Sequence, residues 1–282
     1  MVGAMPPADT LPCDVAGNAY GAKHLHLQLP APPKQQPADE AECKWYEEEI
    51  DDDLKLCYAL NSVLHRGASK YQEIALLDTK HFGKALIIDG KMQSTEVDEF
   101  IYHESLIHPP LLFHPNPKTV FIMGGWRGET WQIPVEGGPC YQLYTKSFYE
   151  HIVKPKLNDH GIFVTQAGPA GVLTHKEVFS SIYNTLKHVF KYVQAYTAHV
   201  PSFADTWGWV MASDHPFDLN AQQINERIKD TIVGELAYLS GESLISSTTL
   251  NKSVHQSLLN EIHVYTEDDA RFVYGHGRAC CA

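Results

Sequence analysis

The pattern of apolar and polar positions divides the chain into unlike stretches. Up to about Ala41 no helical or strand period survives. Seven of the seventeen prolines fall by Pro37, mixed with Ala, Gln, Gly and His, and a segment of that composition buries too little apolar surface to fold alone. Order is expected from Lys44. Tyr71 to Leu77, Ala85 to Ile88 and Lys91 to Thr95 read as strands, and Asp89-Gly90 is a two-residue hairpin signal between the last two. A small antiparallel sheet over roughly residues 44–97 is the expected result.

The period then changes. Glu96 to His108 carries charged and aromatic residues at near-helical spacing and is expected to end at Pro109-Pro110. Thr119 to Met123 is a short apolar run that stops at Gly124-Gly125, as a buried parallel strand entering a glycine turn would. Ser147 to Leu157 and Thr174 to Phe190 are predicted helices; in the second, Val178, Phe179, Ile182, Leu186, Val189 and Phe190 recur at three- and four-residue intervals. Gly161 to Ala167, Tyr192 to Ala198 and Trp207 to Ala212 are predicted strands. Strand–helix–strand alternation after a hairpin region is the pattern of the α/β class. One interval is too short. Only thirteen residues separate Met123 from Gly137, whereas a strand–helix–strand unit needs roughly 30.

Composition narrows the function classes. With 44% hydrophobic and 20% charged residues the chain has ordinary globular usage, which excludes collagen-like, coiled-coil and wholly disordered proteins. Lys plus Arg is 22 against 34 Asp plus Glu, a formal charge of −12, which argues against a dedicated nucleic-acid binder and favours cationic ligands. No apolar run approaches the ~18 residues of a membrane span, and the first thirty residues lack an apolar core behind a basic start, so neither a span nor a secretory signal is expected. The six cysteines (Cys13, Cys43, Cys57, Cys140, Cys280 and Cys281) show no C-x-x-C spacing, which favours reduced thiols and a cytoplasmic location. Most of the sixteen histidines have no spacing that suggests a metal, and none is expected.

Several long motifs carry more information. SKYQ ends at Gln72, IDGKMQ at Gln93, DEFIYHE spans 98–104, GGPCYQLYTKSFY spans 137–149 and PSFADTWGWVMAS spans 201–213. Lys44 to His114, Glu136 to Ser213 and His263 to Gly277 resemble the plant thermospermine synthases, within the spermidine and spermine synthase family of aminopropyltransferases. That resemblance implies a small N-terminal antiparallel β-hairpin domain over 44–108 behind a Pro-rich lead-in (1–43), then a Rossmann-like domain over 109–282 that is internally truncated. It also implies the reaction: an aminopropyl group passes from decarboxylated S-adenosylmethionine, the co-substrate, to a nitrogen of spermidine, with no bound cofactor. A sulfonium already leaves readily, so the demand falls on the nucleophile. A polyamine nitrogen of pKa near 10 is protonated at neutral pH, and baring its lone pair costs about 4 kcal/mol. A carboxylate base, further carboxylates around the cationic chain and alignment of the reacting atoms supply that.

Residue by residue, Gln72 and Gln93 match family positions that line the nucleoside and amine pocket. Tyr102 and His103 match a pair that meets the amine, and Phe203 sits where relatives with smaller polyamines often have tyrosine. Gly124 and Gly125 match the start of the turn under the nucleoside. Outside that context the same residues read as outward-facing strand glutamines, a helix surface and an ordinary turn, and the acid run Glu47 to Asp53 reads as a solvated face. The chain also departs from the family. Trp126 replaces the third glycine of the turn and Arg127 its acid. The strands bearing the two nucleoside acids, and the Asp-x-x-Asp-Pro motif bearing the base, have no counterpart before Gly137-Gly138, so no catalytic base is assigned. Strand edges left unpaired by such a loss predict a weakened or rearranged second domain beside a persisting hairpin sheet. The family also implies homo-oligomerisation through the N-terminal region, and hence an alternative role as an inactive partner of complete relatives.

Overall fold

The computed structural model describes residues 44–70, 72–122 and 141–269. The Pro-rich lead-in, Gly124, Gly125, Trp126 and Arg127 lie outside the described residues. Five strands open the fold: β1 (Trp45–Asp51), β2 (Leu54–Ala68), β3 (Glu73–Thr79), β4 (Gly83–Ile88) and β5 (Lys91–Thr95). They form one antiparallel meander in chain order. The Asp89-Gly90 turn takes left-handed φ angles of 47° and 78°, as a tight hairpin between β4 and β5 requires. β3 starts at Glu73, two residues later than expected, because Ser69 closes a turn on Gln72: its N–H donates to the Gln72 carbonyl at 2.7 Å, and its Oγ accepts the Gln72 N–H at 2.9 Å. Tyr58, Leu60, Leu77, Ala85, Ile87 and Met92 form the core of this sheet.

Helix α1 (Glu99–Phe113) does not end at Pro109-Pro110; it runs through both. A proline interior to a helix lacks the N–H owed to the carbonyl four residues back. For Pro109 that carbonyl belongs to Ser105, and the buried Tyr196 hydroxyl donates to it at 2.8 Å. Arg227 donates from Nη1 to the carbonyls of Leu112 (2.6 Å) and His114 (3.1 Å) at the far end, placing a cation where the helix dipole is negative. At Pro109 a tertiary donor thus replaces the bond that the proline removes, and Arg227 satisfies carbonyls at the helix end.

Of the run Thr119–Met123, expected as a buried strand, Met123 lies outside the described residues and 119–122 are irregular and exposed, with Phe121 82% accessible. An isolated strand leaves its backbone groups unpaired, and the strands of the second sheet pair only with one another among the described residues. That sheet comprises β6 (Ile162–Pro169), β7 (Tyr192–Val200) and β8 (Asp205–Ser213) in the order β6-β8-β7. β8 is antiparallel to both neighbours. Helix α3 (Phe179–Lys187) links β6 to β7 and is shorter than the predicted 174–190 span. Residues 174–178 are held in turns instead, with the Thr174 hydroxyl on Asp205 (2.6 Å) and His175 fixed between the Gly171 carbonyl (2.8 Å) and Ser257 (2.9 Å).

The expected helix at 147–157 is a mixed tract: α2 (Lys146–Phe148), a π turn (Tyr149–Val153) and a 3-10 turn (Lys154–Lys156). Pro155 cannot donate into a regular α ladder. Helices α4 (Ala221–Thr231), α5 (Gly241–Ser247) and α6 (Lys252–Asn260) complete the described chain.

β8 is buried on both faces. Val210 and Ala212 face α3, the mixed tract and α6, while Trp209 and Met211 face α1, the period-two alternation of a strand between two helical layers. A Cβ at Gly208 would lie 2.5 Å from the Phe179 ring, so glycine there lets α3 dock. The C-terminal end of α1 is closed by a separate cluster of Leu112, Ile224, Leu239 and Leu244.

Candidate active site

The two sheets meet at the turn between β7 and β8. Pro201–Phe203 forms a single 3-10 turn closed by Ala204 in left-handed backbone (φ 52°). Ser202, at its centre, is held from three directions. Its N–H and hydroxyl donate to Asp98 at 2.7 and 3.0 Å, and its carbonyl accepts the Tyr58 hydroxyl at 2.7 Å. Asp98 also accepts from Thr95 at the end of β5. A buried carboxylate satisfied by three donors is a stable junction, and it fixes Phe203 where the first-sheet core and the α1-facing core touch.

Around Phe203 the structure gathers an aromatic wall. The Tyr102 ring lies edge-on to Phe203 (6.0 Å between centroids) and to Trp209 (5.5 Å), and Phe203 lies edge-on to Trp207 (4.8 Å). The Tyr102 hydroxyl and the Trp207 indole N–H both donate to Oε1 of Gln166, each at 3.2 Å. Burial, with a smaller contribution from Tyr144, holds the Tyr102 phenol well above its usual pKa, so it remains a neutral donor. Trp209 Nε1 is buried with no hydrogen-bond partner among the described residues. Faces of electron-rich rings and an amide suit a cationic chain, but an amide cannot take up a proton as a catalytic base must.

The sequence-predicted residues divide accordingly. Tyr102 and Phe203 are brought together. His103 is exposed, its ring edge-on to Tyr102 at 5.8 Å. Gln72 donates to Asp89 at 3.3 Å and Gln93 to the Lys91 carbonyl at 3.2 Å, both on the first sheet. Gly124 and Gly125 fall outside the described residues. Sequence reasoning missed Gln166, Trp207 and Asp98. A glutamine inside the apolar run Gly161–Ala167 was the signal for the first; the other two lie within motifs without marking themselves out.

Glu104, the last residue of DEFIYHE, is architectural. Its carboxylate accepts the N–H groups of Ala237 (2.8 Å), Tyr238 (2.9 Å) and Leu239 (2.9 Å), tying α1 to the segment that leads into α5. The acid run is likewise part of the sheet. Glu48 is buried beside the Met92 N–H, while Glu47 and Glu49 pair with Lys55 at 3.4 and 3.1 Å.

Comparison with known proteins gives this geometry a setting. Residues 44–96 match the spermidine synthase tetramerisation domain, and residues 99–133 and 131–222 match the spermine/spermidine synthase domain in two pieces. Thermospermine synthase ACAULIS5 of Arabidopsis thaliana is 52% identical over 329 aligned positions, covering 93% of this chain and 96% of the relative. A polyamine aminopropyltransferase of Sulfurisphaera tokodaii is 32% identical over 75% of this chain and 92% of its own length. The crystal structure of spermidine synthase from Thermotoga maritima superposes with a TM-score of 0.66 at 20% identity, covering 81% of this chain and 97% of that one.

An alignment of 329 positions cannot be filled by 282 residues, so at least 47 positions of the Arabidopsis relative have no counterpart here. The synthase-domain match breaks at residues 131–133, within the interval too short for a strand–helix–strand unit. The sheets, the motifs and these matches together place the chain in the spermine/spermidine synthase family of aminopropyltransferases.

Proposed function

We propose that this chain acts in polyamine synthesis, at the transfer of an aminopropyl group from decarboxylated S-adenosylmethionine to spermidine, in the cytoplasm. The observation that carries this reading is the wall built by Tyr102, Phe203, Trp207 and Gln166, which suits a flexible aliphatic cation. Gln72 and Gln93 would line the nucleoside and amine pocket, His103 would meet the amine beside Tyr102, and Gly124 and Gly125 would lie beneath the nucleoside. A spermidine synthase with the same fold has been crystallised with the transition-state analogue AdoDATO, which fits a shared reaction class. The experiment is direct: incubate the purified chain with both substrates and measure methylthioadenosine and tetraamine. Their appearance supports the enzyme reading.

The break at residues 131–133 favours a second reading. The family's base lies in the stretch without a counterpart, and a chain without it assembles with complete relatives through β1–β5, the region matching the tetramerisation domain. Absence of product, together with co-purification of a complete relative that is lost in a V63K/L64K variant of exposed β2 residues, supports this reading and excludes the first.

A further inference from the structure

We propose that Asp159, His160 and His215 form a surface site for a divalent transition-metal ion of the zinc type. Asp159 Oδ1 lies 3.0 Å from His215 Nε2, and Asp159 Oδ2 lies 3.7 Å from His160 Nε2. The two imidazoles stack with centroids 3.8 Å apart, and one ligand atom from each of the three residues lies within 4.8 Å of the others. Two imidazole nitrogens and a carboxylate oxygen are a zinc ligand set. Bonds of about 2.0–2.2 Å place tetrahedral ligands roughly 3.4 Å apart. The cluster therefore closes on an ion by small movements of exposed side chains, and water completes the coordination.

Backbone geometry supports the site independently of its side chains. His160 adopts left-handed backbone (φ 61°), a region that glycine takes at no cost and that histidine enters more readily than most residues. The loop is closed by the Gly161 N–H on the Asn158 carbonyl (2.8 Å). Ser213 then joins it to the loop after β8: its hydroxyl donates to the Gly161 carbonyl (2.9 Å) and accepts the His215 N–H (3.2 Å). Two loops are thus held face to face. An Asp–His ion pair needs one imidazole; here two converge on the two oxygens of one carboxylate. The site lies beside the Ile162–Ser213 register pair, where β6 meets β8. Since β6 borders the described sheet, a bound ion would staple a border strand to its only described neighbour.

The test uses the full chain, H160G and H215A. In H160G glycine fits the left-handed backbone, so loss of metal reports loss of a ligand. Zinc bound per chain is measured by equilibrium dialysis against zinc chloride, with thermal melts run in parallel. We expect the unsubstituted chain to bind one zinc ion more than either variant at equal free zinc, and its melting temperature to rise with zinc more than theirs. Equal stoichiometry and equal thermal response in all three chains would overturn the site.

Discussion

The Tyr196 hydroxyl donates to the Ser105 carbonyl at 2.8 Å, supplying the hydrogen bond that Pro109 cannot make within α1. A bond from β7 thus completes a helix four residues before it would otherwise fail. Y196F should leave that carbonyl buried and unpaired and cost about 1–3 kcal/mol. In a P109A background the restored N–H serves Ser105, so the cost of Y196F should shrink. Urea unfolding of the four chains checks this, and a Y196F cost independent of residue 109 would refute it.

Glu104 makes the converse connection, from α1 outward to three consecutive N–H groups. In E104Q an amide nitrogen replaces one accepting oxygen and faces donors. Since bonds to charged groups contribute about 1.5–3 kcal/mol each, E104Q should lose a comparable amount of stability. Protease cleavage near residues 232–240 should rise in parallel. Unchanged unfolding midpoints would show that the three contacts contribute nothing.

Glu48 supplies a pH dependence. Burial raises its pKa above the ordinary 4.5, opposed in part by the Lys91 ammonium and the Met92 N–H. The folded state therefore holds the proton more tightly than the unfolded state. Stability from this group is fully present below pH 4.5 and is lost as pH rises through the higher folded value. E48Q, which has no charge to bury, should raise the unfolding midpoint at neutral pH and give no gain at pH 4. A gain that grew toward acid pH would reverse this assignment.

The wall around Phe203 predicts binding. Spermidine should change the fluorescence of the part-buried Trp207, which stands 4.8 Å from Phe203. W207F exchanges the indole for a smaller, less electron-rich phenyl face and removes one of the two bonds to Gln166, and should weaken spermidine about tenfold; Y102F, which loses only its hydroxyl, should weaken it less. A cation-binding site worth ~2 kcal/mol when desolvated accounts for that range. Equal affinity in W207F would place the amine elsewhere.

The motifs and short-range patterns determined much of this protein. The Asp89-Gly90 hairpin, the strands later found as β3 to β8 and the family itself follow from turn chemistry, alternation and long motifs that act locally. The thirteen-residue gap after Met123 disclosed the interrupted second domain by chain length alone. Tertiary structure decided what depends on distant partners. Pro109-Pro110 failed to end α1 because Tyr196, 91 positions away from Ser105, and Arg227 serve carbonyls that local rules leave bare. Thr119–Ile122 failed to become a buried strand because an apolar run needs a neighbouring ladder, which its own sequence cannot supply. Gln166 and Trp207 entered the site through pairings across the sheet. Asp159 and His215 stand 56 positions apart, a spacing with no meaning until β6 and β8 align their ends.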